Sequence, residues 1–396
     1  HPTPRRRYAS RRTLRLVVLL LLTGTIYRII HHNHLNALKV KERQAAQSDE
    51  HARQWAAAIE HYNHLLDSDP NDPDSRARRA QAYERLGEWN AALADFDRLV
   101  KVRPQDRDIW LGLARADWAL GHYDKSVQSY TKTLAIAPHD TIALNERGMI
   151  HAARARWKDA AADLVEAARL EIDNPADAKT GEERGWTTAQ LCFRAAAMQL
   201  ATGDQAGYRR LCVTLFAHLD QIEAAGAARG PGSPASNQSR RASVLGDAAL
   251  TFVLAPGALP DYTRLLRSLS GLVASDPRNS VNRILYGAAL CRARQYAAAI
   301  AELDEGSRLS GTTGTILDRP FLALAHRGLG HSRKAARYAA DTARLEAQIR
   351  RAQANASPPL ALEVDVACQV LAREVGPLSL DEANVLARDT GRPPSR

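Results

Sequence analysis

The sequence predicts an all-α protein: a solenoid of stacked helix pairs, preceded by a single hydrophobic helix. Three observations lead there. Pro70, Pro104 and Pro138 stand 34 residues apart, each closing a segment of the same pattern. A helix pair of that length cannot shield its own apolar face and buries it by stacking on a copy of itself. Apolar residues make up 45% of the chain and aromatics only 6%, a balance that supplies a continuous core of closely packed, alanine-rich helices. Finally, Leu14 to Ile30 is an apolar run broken only by Arg15 and Arg28.

Residues 1–12 form a basic segment ahead of that run. Ten Lys and Arg residues lie within positions 1–43 against one acid, Glu42, so the net charge of +10 is concentrated here and the rest of the chain is close to neutral. Basic charge flanking a greasy stretch sets membrane topology or touches anionic head groups. No aromatic-laced basic face accompanies it, which argues against a nucleic-acid partner. Residues 13–30 are expected to cross a membrane as one helix. At about 1.5 Å per residue the run spans roughly 25 Å, slightly short of a bilayer core, and arginines that snorkel from its ends make that tolerable. A signal sequence and a buried helix are the competing readings; Ser10-Arg11-Arg12 looks like a twin-arginine signal, although no Ala-x-Ala cleavage site follows. Six arginines precede the greasy centre and four basic residues follow it, which places the repeats on the non-cytoplasmic side of a single-pass membrane protein. His31, His32 and His34 read as a polar exit from that helix rather than as metal ligands, and residues 31–48 as a polar helical connector. A first residue of His1 rather than Met leads to the expectation of further sequence upstream.

The repeats occupy residues 49–175. Counted so that the closing proline is the thirty-second position, the second repeat starts at Pro73 and carries Tyr83, Gly87, Trp89, Ala92, Phe96 and Pro104. The third carries Trp110, Leu113, Ala114, Gly121, Tyr123, Ser126, Tyr130 and Pro138 in the same register. The fourth supplies Leu144, Gly148, Trp157, Ala160 and Ala167, and the first keeps Ala58, Tyr62 and Pro70. Small residues at the eighth and twentieth positions let two helix backbones approach where they cross, and large ones fill the gaps on either side. Gly87 and Gly121 supply the turn, and the proline stops the second helix. Asp67, Asp69, Asp72 and Asp74 cluster at a turn between repeats, where capping explains them better than acid–base chemistry.

This register resembles the tetratricopeptide repeat family, most closely over Pro73–Pro138. The resemblance implies a right-handed superhelix whose first helices line a concave, peptide-binding face. Residues 176–228 read as a degenerate helical repeat turning at Thr202-Gly203-Asp204, and residues 229–243 as a flexible Gly/Pro/Ser linker. That linker holds Asn237-Gln238-Ser239, a glycosylation-like sequon, and Arg240-Arg241-Ala242-Ser243, which has the form of a basic-directed phosphorylation site. Residues 244–350 form a second repeat-like array, with Gly287, Tyr296, Ala299 and Leu303 in register, and residues 351–396 a capping helix and disordered tail. The runs Leu191–Cys212, Leu254-Ala255-Pro256-Gly257, Tyr286–Leu290 and Phe321–Gly330 look like the repeat regions appended to large planctomycete-type bacterial proteins, including membrane-spanning Ser/Thr protein kinases.

Nothing in the chain carries catalysis. Gly311-Thr312-Thr313-Gly314 lacks the lysine and length of a phosphate loop, and no HExxH, GxSxG or Cys/His nucleophile pattern occurs. Cys192, Cys212, Cys291 and Cys368 sit singly within apolar helical runs and read as small buried hydrophobes. The chain is therefore expected to be no enzyme, with no cofactor and no metal.

On the concave face, the family's groove positions fall on Gln81, Arg85, Arg115, Trp118 and Asn145. Trp118 stands out because it is not a signature position, and beside Arg115 and Arg85 it suits a peptide with an aromatic or acidic group. Ala77, Gln81, Gly112, Ile142 and Glu146 stand where carboxylate-gripping members carry lysines and asparagines, which disfavours a chaperone C-terminus as ligand. The expected function is a membrane-anchored scaffold that binds proteins or peptide segments. Two alternatives are the sensory or scaffolding region of a transmembrane Ser/Thr kinase whose catalytic domain lies upstream, and a secreted soluble repeat protein.

Overall fold

The computed structural model describes residues 11–173, 188–228, 248–311, 317–354 and 362–376, and among them helices alone form the regular structure. The chain divides into two compact units, one ending at Lys132 and the other beginning at Thr133.

The first unit contains α1 (Arg11–His51), α2 (Trp55–Ser68), α3 (Pro73–Leu86), α4 (Trp89–Val102), α5 (Arg107–Ala119) and most of α6 (Tyr123–Ile136). Each of α1 to α4 packs on the next, and α3 also touches α5. The starts are set by aspartate caps. Asp72 accepts from the backbone N–H of Asp74 at 3.1 Å, and Asp106 from that of Asp108 at 3.0 Å. Pro73 opens α3 at a position where its missing N–H costs nothing. The turns inside the pairs are left-handed: Arg53, Gly87, Gly121 and Ala155 hold φ of 59°, 75°, 78° and 56°. These four positions recur at the repeat interval, the last of them in the second unit. Ala80 and Ala92 are fully buried and join Phe96, Leu99, Ile109 and Leu113 in one core cluster. The small and large positions read from the repeat are therefore packing positions.

The N-terminal expectation is corrected. The apolar run is the first part of α1, which continues unbroken through the polar stretch to His51. Among the described residues no helix is long and apolar enough to cross a membrane. The uncharged stretch between Arg15 and Arg28 spans only roughly 18 Å at about 1.5 Å per residue, against a hydrocarbon core of about 30 Å. A single-pass membrane location is thus not supported, and the sidedness inferred from the flanking arginines goes with it. The separate connector over 31–48 is also absent as an element: the last turns of α1 pack on α2 and act as the first helix of the first pair, with Ala46 fully buried beside Ala58, Tyr62 and Leu65.

The second unit holds α7 (Thr141–Ala153), α8 (Trp157–Asp173), α9 (Thr188–Thr202), α10 (Gln205–Ala228), a helical stretch at 248–253, α11 (Thr263–Ser275), α12 (Ser280–Arg292), α13 (Tyr296–Ser310), α14 (Asp318–Gly328), α15 (Ser332–Ala354) and α16 (Leu362–Val375). Successive pairs share one extended core running through Leu164, Leu191, Tyr208, Phe252, Leu285 and Phe321. The helix expected to cap the stack, α16, packs against α7, α9, α14 and α15. Its Glu374 also meets Arg292 of α12. It thus reaches α7, α9, α12 and α14, each the first helix of its pair. All four cysteines are buried and free, and burial raises the thiols of Cys192, Cys212 and Cys291 to about 12. The linker at 229–243 with its sequon and phosphorylation-like pattern, the first ten residues and the tail beyond 376 lie outside the described residues.

Candidate peptide-binding face

In the first unit α1 and α3 border a cleft of about 440 Å³ lined by Arg43, Gln47, Tyr62, Asp74, Ser75, Ala77, Arg78 and Gln81. Helical periodicity explains the set, since Ala77, Arg78 and Gln81 lie one turn apart on α3, and Arg43 and Gln47 one turn apart on α1. The walls are fixed by hydrogen bonds that leave the mouth polar. Arg43 donates to Asp72 at 2.7 Å, and Asp72 also accepts from the Ser75 hydroxyl at 2.7 Å. Burial raises the Asp72 carboxyl, but its donors (Ser75, Arg43 and the Asp74 N–H) more than offset that and hold it below the usual range. At the floor, the Tyr62 hydroxyl donates to Glu50 at 2.8 Å, and Arg78 donates to the other oxygen of the same carboxylate at 3.0 Å. Burial, and then Glu50, push the Tyr62 phenol well above its ordinary value. Arg43, Arg78 and Gln81 remain exposed at the rim.

Of the five residues read from the sequence, Gln81 lines this cleft. Arg85, one turn further along α3, is exposed and carries its guanidinium over the Trp55 ring at 6.0 Å. Arg115 on α5 is half-buried and donates to Glu84 of α3 at 3.2 Å, which ties the first helices of adjacent pairs. Trp118, one turn on from Arg115, is half-buried. Asn145 stands apart from these. It belongs to the second unit, is buried and accepts from Arg194 at 3.1 Å. Sequence reasoning missed Arg43 and Gln47, because it assigned them to a connector. The available signal was the absence of any helix-stopping residue between position 35 and Pro70. Side chains with metal-ligating atoms come together elsewhere in the unit, at Glu42, His61 and His64.

Two tetratricopeptide-repeat family profiles match the chain, one over residues 48–111 and one over 111–178. No curated protein matches it. Solved structures that resemble it include a tetratricopeptide repeat protein from Parabacteroides merdae, 12% identical over 73% of this chain and 98% of that one, with a TM-score of 0.39. YrrB, described as a repeat protein with an unusual peptide-binding site, is 11% identical over 59% of this chain and 97% of its own, with a TM-score of 0.38. TTC0263 of Thermus thermophilus is 19% identical over 52% and 98%, with a TM-score of 0.34. The likeness to regions appended to membrane-spanning kinases finds no support in these matches, and no enzymatic family is indicated. Tetratricopeptide repeats occupy residues 48–178, and repeats of this kind imply a protein-interaction scaffold.

Proposed function

We propose that the first unit binds an extended peptide segment of a partner protein along the face formed by the first helices α1, α3 and α5. The cleft carries the reading. Its rim offers the amides of Gln47 and Gln81 and the guanidinium groups of Arg43 and Arg78, which suit the carbonyl and carboxylate oxygens of a peptide backbone and its acidic side chains. Arg115 and Trp118 continue that face onto α5, where the indole supplies a flat apolar contact for an aromatic or aliphatic residue of the ligand. In the second unit the corresponding first helices carry α16, and among the described residues no such helix covers α1, α3 and α5.

The test is selection of peptides from a displayed library on the full chain, followed by affinity measurement on the enriched sequences. Gln81→Ala with Arg78→Ala is expected to weaken binding by at least about tenfold, and Trp118→Ala by a similar factor. Enriched peptides that bind both variants as tightly as the parent would show that the binding face lies elsewhere.

A further inference from the structure

Where α1 meets α2, four side chains with metal-ligating atoms converge. His61 and His64 lie three residues apart on α2, so both imidazoles project from one face. Glu42 and Asp49, two turns apart on α1, face them. The Nδ1 of His61 is 2.6 Å from Oε2 of Glu42, and the Nδ1 of His64 is 3.6 Å from the same oxygen. One ligating atom from each of Glu42, His61 and His64 lies within 4.8 Å of the other two. The second nitrogen of His61 is 3.5 Å from Oδ2 of Asp49.

We infer that Glu42, His61 and His64 form a site for a divalent transition-metal ion of the zinc class, with Asp49 as the residue that orients His61. Two imidazoles and one carboxylate make a borderline donor set, which selects Zn²⁺, Co²⁺ or Ni²⁺ over the all-oxygen preference of Ca²⁺ and Mg²⁺. Ligand-to-metal bonds of about 2.0–2.2 Å require ligand atoms a little over 3 Å apart, so the 2.6 Å contact opens and the others close by small side-chain rotations. Asp49 supplies what a bare cluster lacks. A carboxylate that takes the N–H of a ligating imidazole fixes its tautomer and leaves the other nitrogen free to bind. His64 is exposed at the rim, so the fourth coordination position opens to solvent. The ion would pin α1 to α2, and so fix the wall of the first pair that carries Arg43 and Gln47.

The experiment uses the full chain, stripped with a chelator and titrated with Co²⁺ and then Zn²⁺. The expected result is one equivalent of Co²⁺ with the visible absorption of a four- or five-coordinate nitrogen–oxygen site, bleached by one equivalent of Zn²⁺, together with a higher Tm. His61→Gln, His64→Gln and Glu42→Gln are each expected to remove the band, and Asp49→Asn to weaken Zn²⁺ by roughly ten- to hundredfold. His31→Ala/His32→Ala/His34→Ala is expected to leave both signals intact. Absence of the band in the parent chain, its persistence in His61→Gln, or its loss only in the His31/His32/His34 variant each overturns the assignment. Because substituted chains can misfold, X-ray absorption of the Co²⁺-loaded parent gives a second reading: fewer than two imidazole nitrogens around the metal rejects the site.

Discussion

Arg79 grips Asp95 with two parallel hydrogen bonds, Nε to Oδ2 and Nη2 to Oδ1, each 2.8 Å long. Arg147 and Asp163 repeat the arrangement two repeats later, at 2.8 and 2.7 Å. Both pairs join the seventh position of a repeat to the twenty-third, linking the two helices of a pair across their packed face. The repeat between them holds Leu113 and Ser129 in those places, both buried. The clamp is therefore one of two solutions to the same gap. Asp95 is buried and also receives Arg76 at 3.2 Å, so deleting the carboxylate removes the charged acceptor of two guanidinium groups and leaves them only Asn63 and the Pro70 carbonyl as acceptors. Asp95→Ala is expected to cost roughly 3–5 kcal/mol, whereas Arg79→Leu/Asp95→Ser, which copies the middle repeat, recovers much of that loss. Denaturant unfolding of the single and double variants measures the difference; equal losses in both would mean that the pair is not the unit.

The left-handed turn positions give a prediction of opposite sign. Ala155 stands where the two preceding repeats have glycine, is exposed, and holds φ of 56°. A Cβ in that region costs about 1 kcal/mol or more. Ala155→Gly is expected to stabilise the chain by up to about 1 kcal/mol, and Gly121→Ala to destabilise it by a similar amount. No other atom lies near a Cβ added at Gly121, so the second effect is purely one of backbone strain. Urea midpoints of the two variants should move in opposite directions.

Gly112 tests packing rather than conformation. A Cβ built there would lie 2.2–2.7 Å from ring atoms of Phe96, the residue at the centre of the α3–α4–α5 core. Gly112→Ala is expected to cost about 1–3 kcal/mol, because the ring is fully buried and has nowhere to move. Gly112→Ala combined with Phe96→Leu should recover part of the loss. If the single variant melts with the parent, α5 is not seated on Phe96 as described.

The sequence carried the repeating features well because their causes are local. A period of one repeat length, aspartate caps at Asp72, Asp106 and Asp140, and glycines at the turns each follow from a few neighbouring residues. What it hid depends on residues far apart. Asn145 looked like a groove residue until Arg194, from the following pair, buried it. Arg43 was assigned to a connector although α1 runs straight into the first pair. The greasy run at the N-terminus satisfied composition but not length, since Arg15 and Arg28 confine it.

Three histidines of the second unit are buried: His151, His218 and His326. Burial lowers the affinity of each for a proton, helped at His151 by Arg156 and at His326 by Lys334 and His331. A histidine with a depressed folded value binds its proton more readily when unfolded. Stability is therefore full above the ordinary value of about 6.5 and falls as pH drops below it toward the folded values. The Tm of the chain is expected to decline between about pH 7 and pH 5, and His326→Gln to flatten that slope. His326 is the informative site because its ring stacks on Tyr338 at 5.5 Å and faces the Nδ1 of His331 at 3.2 Å, and burial, Lys334 and His331 together outweigh the opposing pull of Asp304. A Tm that rises on acidification would contradict the neutral assignment of all three.

Arg292 holds the second unit together at the point where four segments meet. Its side chain is only 4% exposed. It donates to the backbone carbonyls of Val253 at 2.7 Å and Leu254 at 3.0 Å, and to both oxygens of Glu374 on α16 at 2.5 and 2.7 Å. The guanidinium also lies 5.0 Å from the centre of the Phe321 ring on α14. A lysine carries the charge but cannot present two edges at once, so Arg292→Lys leaves at least one carbonyl or carboxylate oxygen without its donor. The expected cost is roughly 3–5 kcal/mol, and it should fall first on α16, whose remaining anchors include the buried Val366, Ala367, Cys368, Leu371 and Val375 and the hydrogen bond from Arg327 to the Val375 carbonyl. Hydrogen exchange separates this outcome from general loosening. Residues 362–376 should lose protection in Arg292→Lys before α12 and α13 do, and the same order should appear in Glu374→Gln. Loss of protection that begins in α12 would place the keystone in the helix pair itself rather than in the grip on α16.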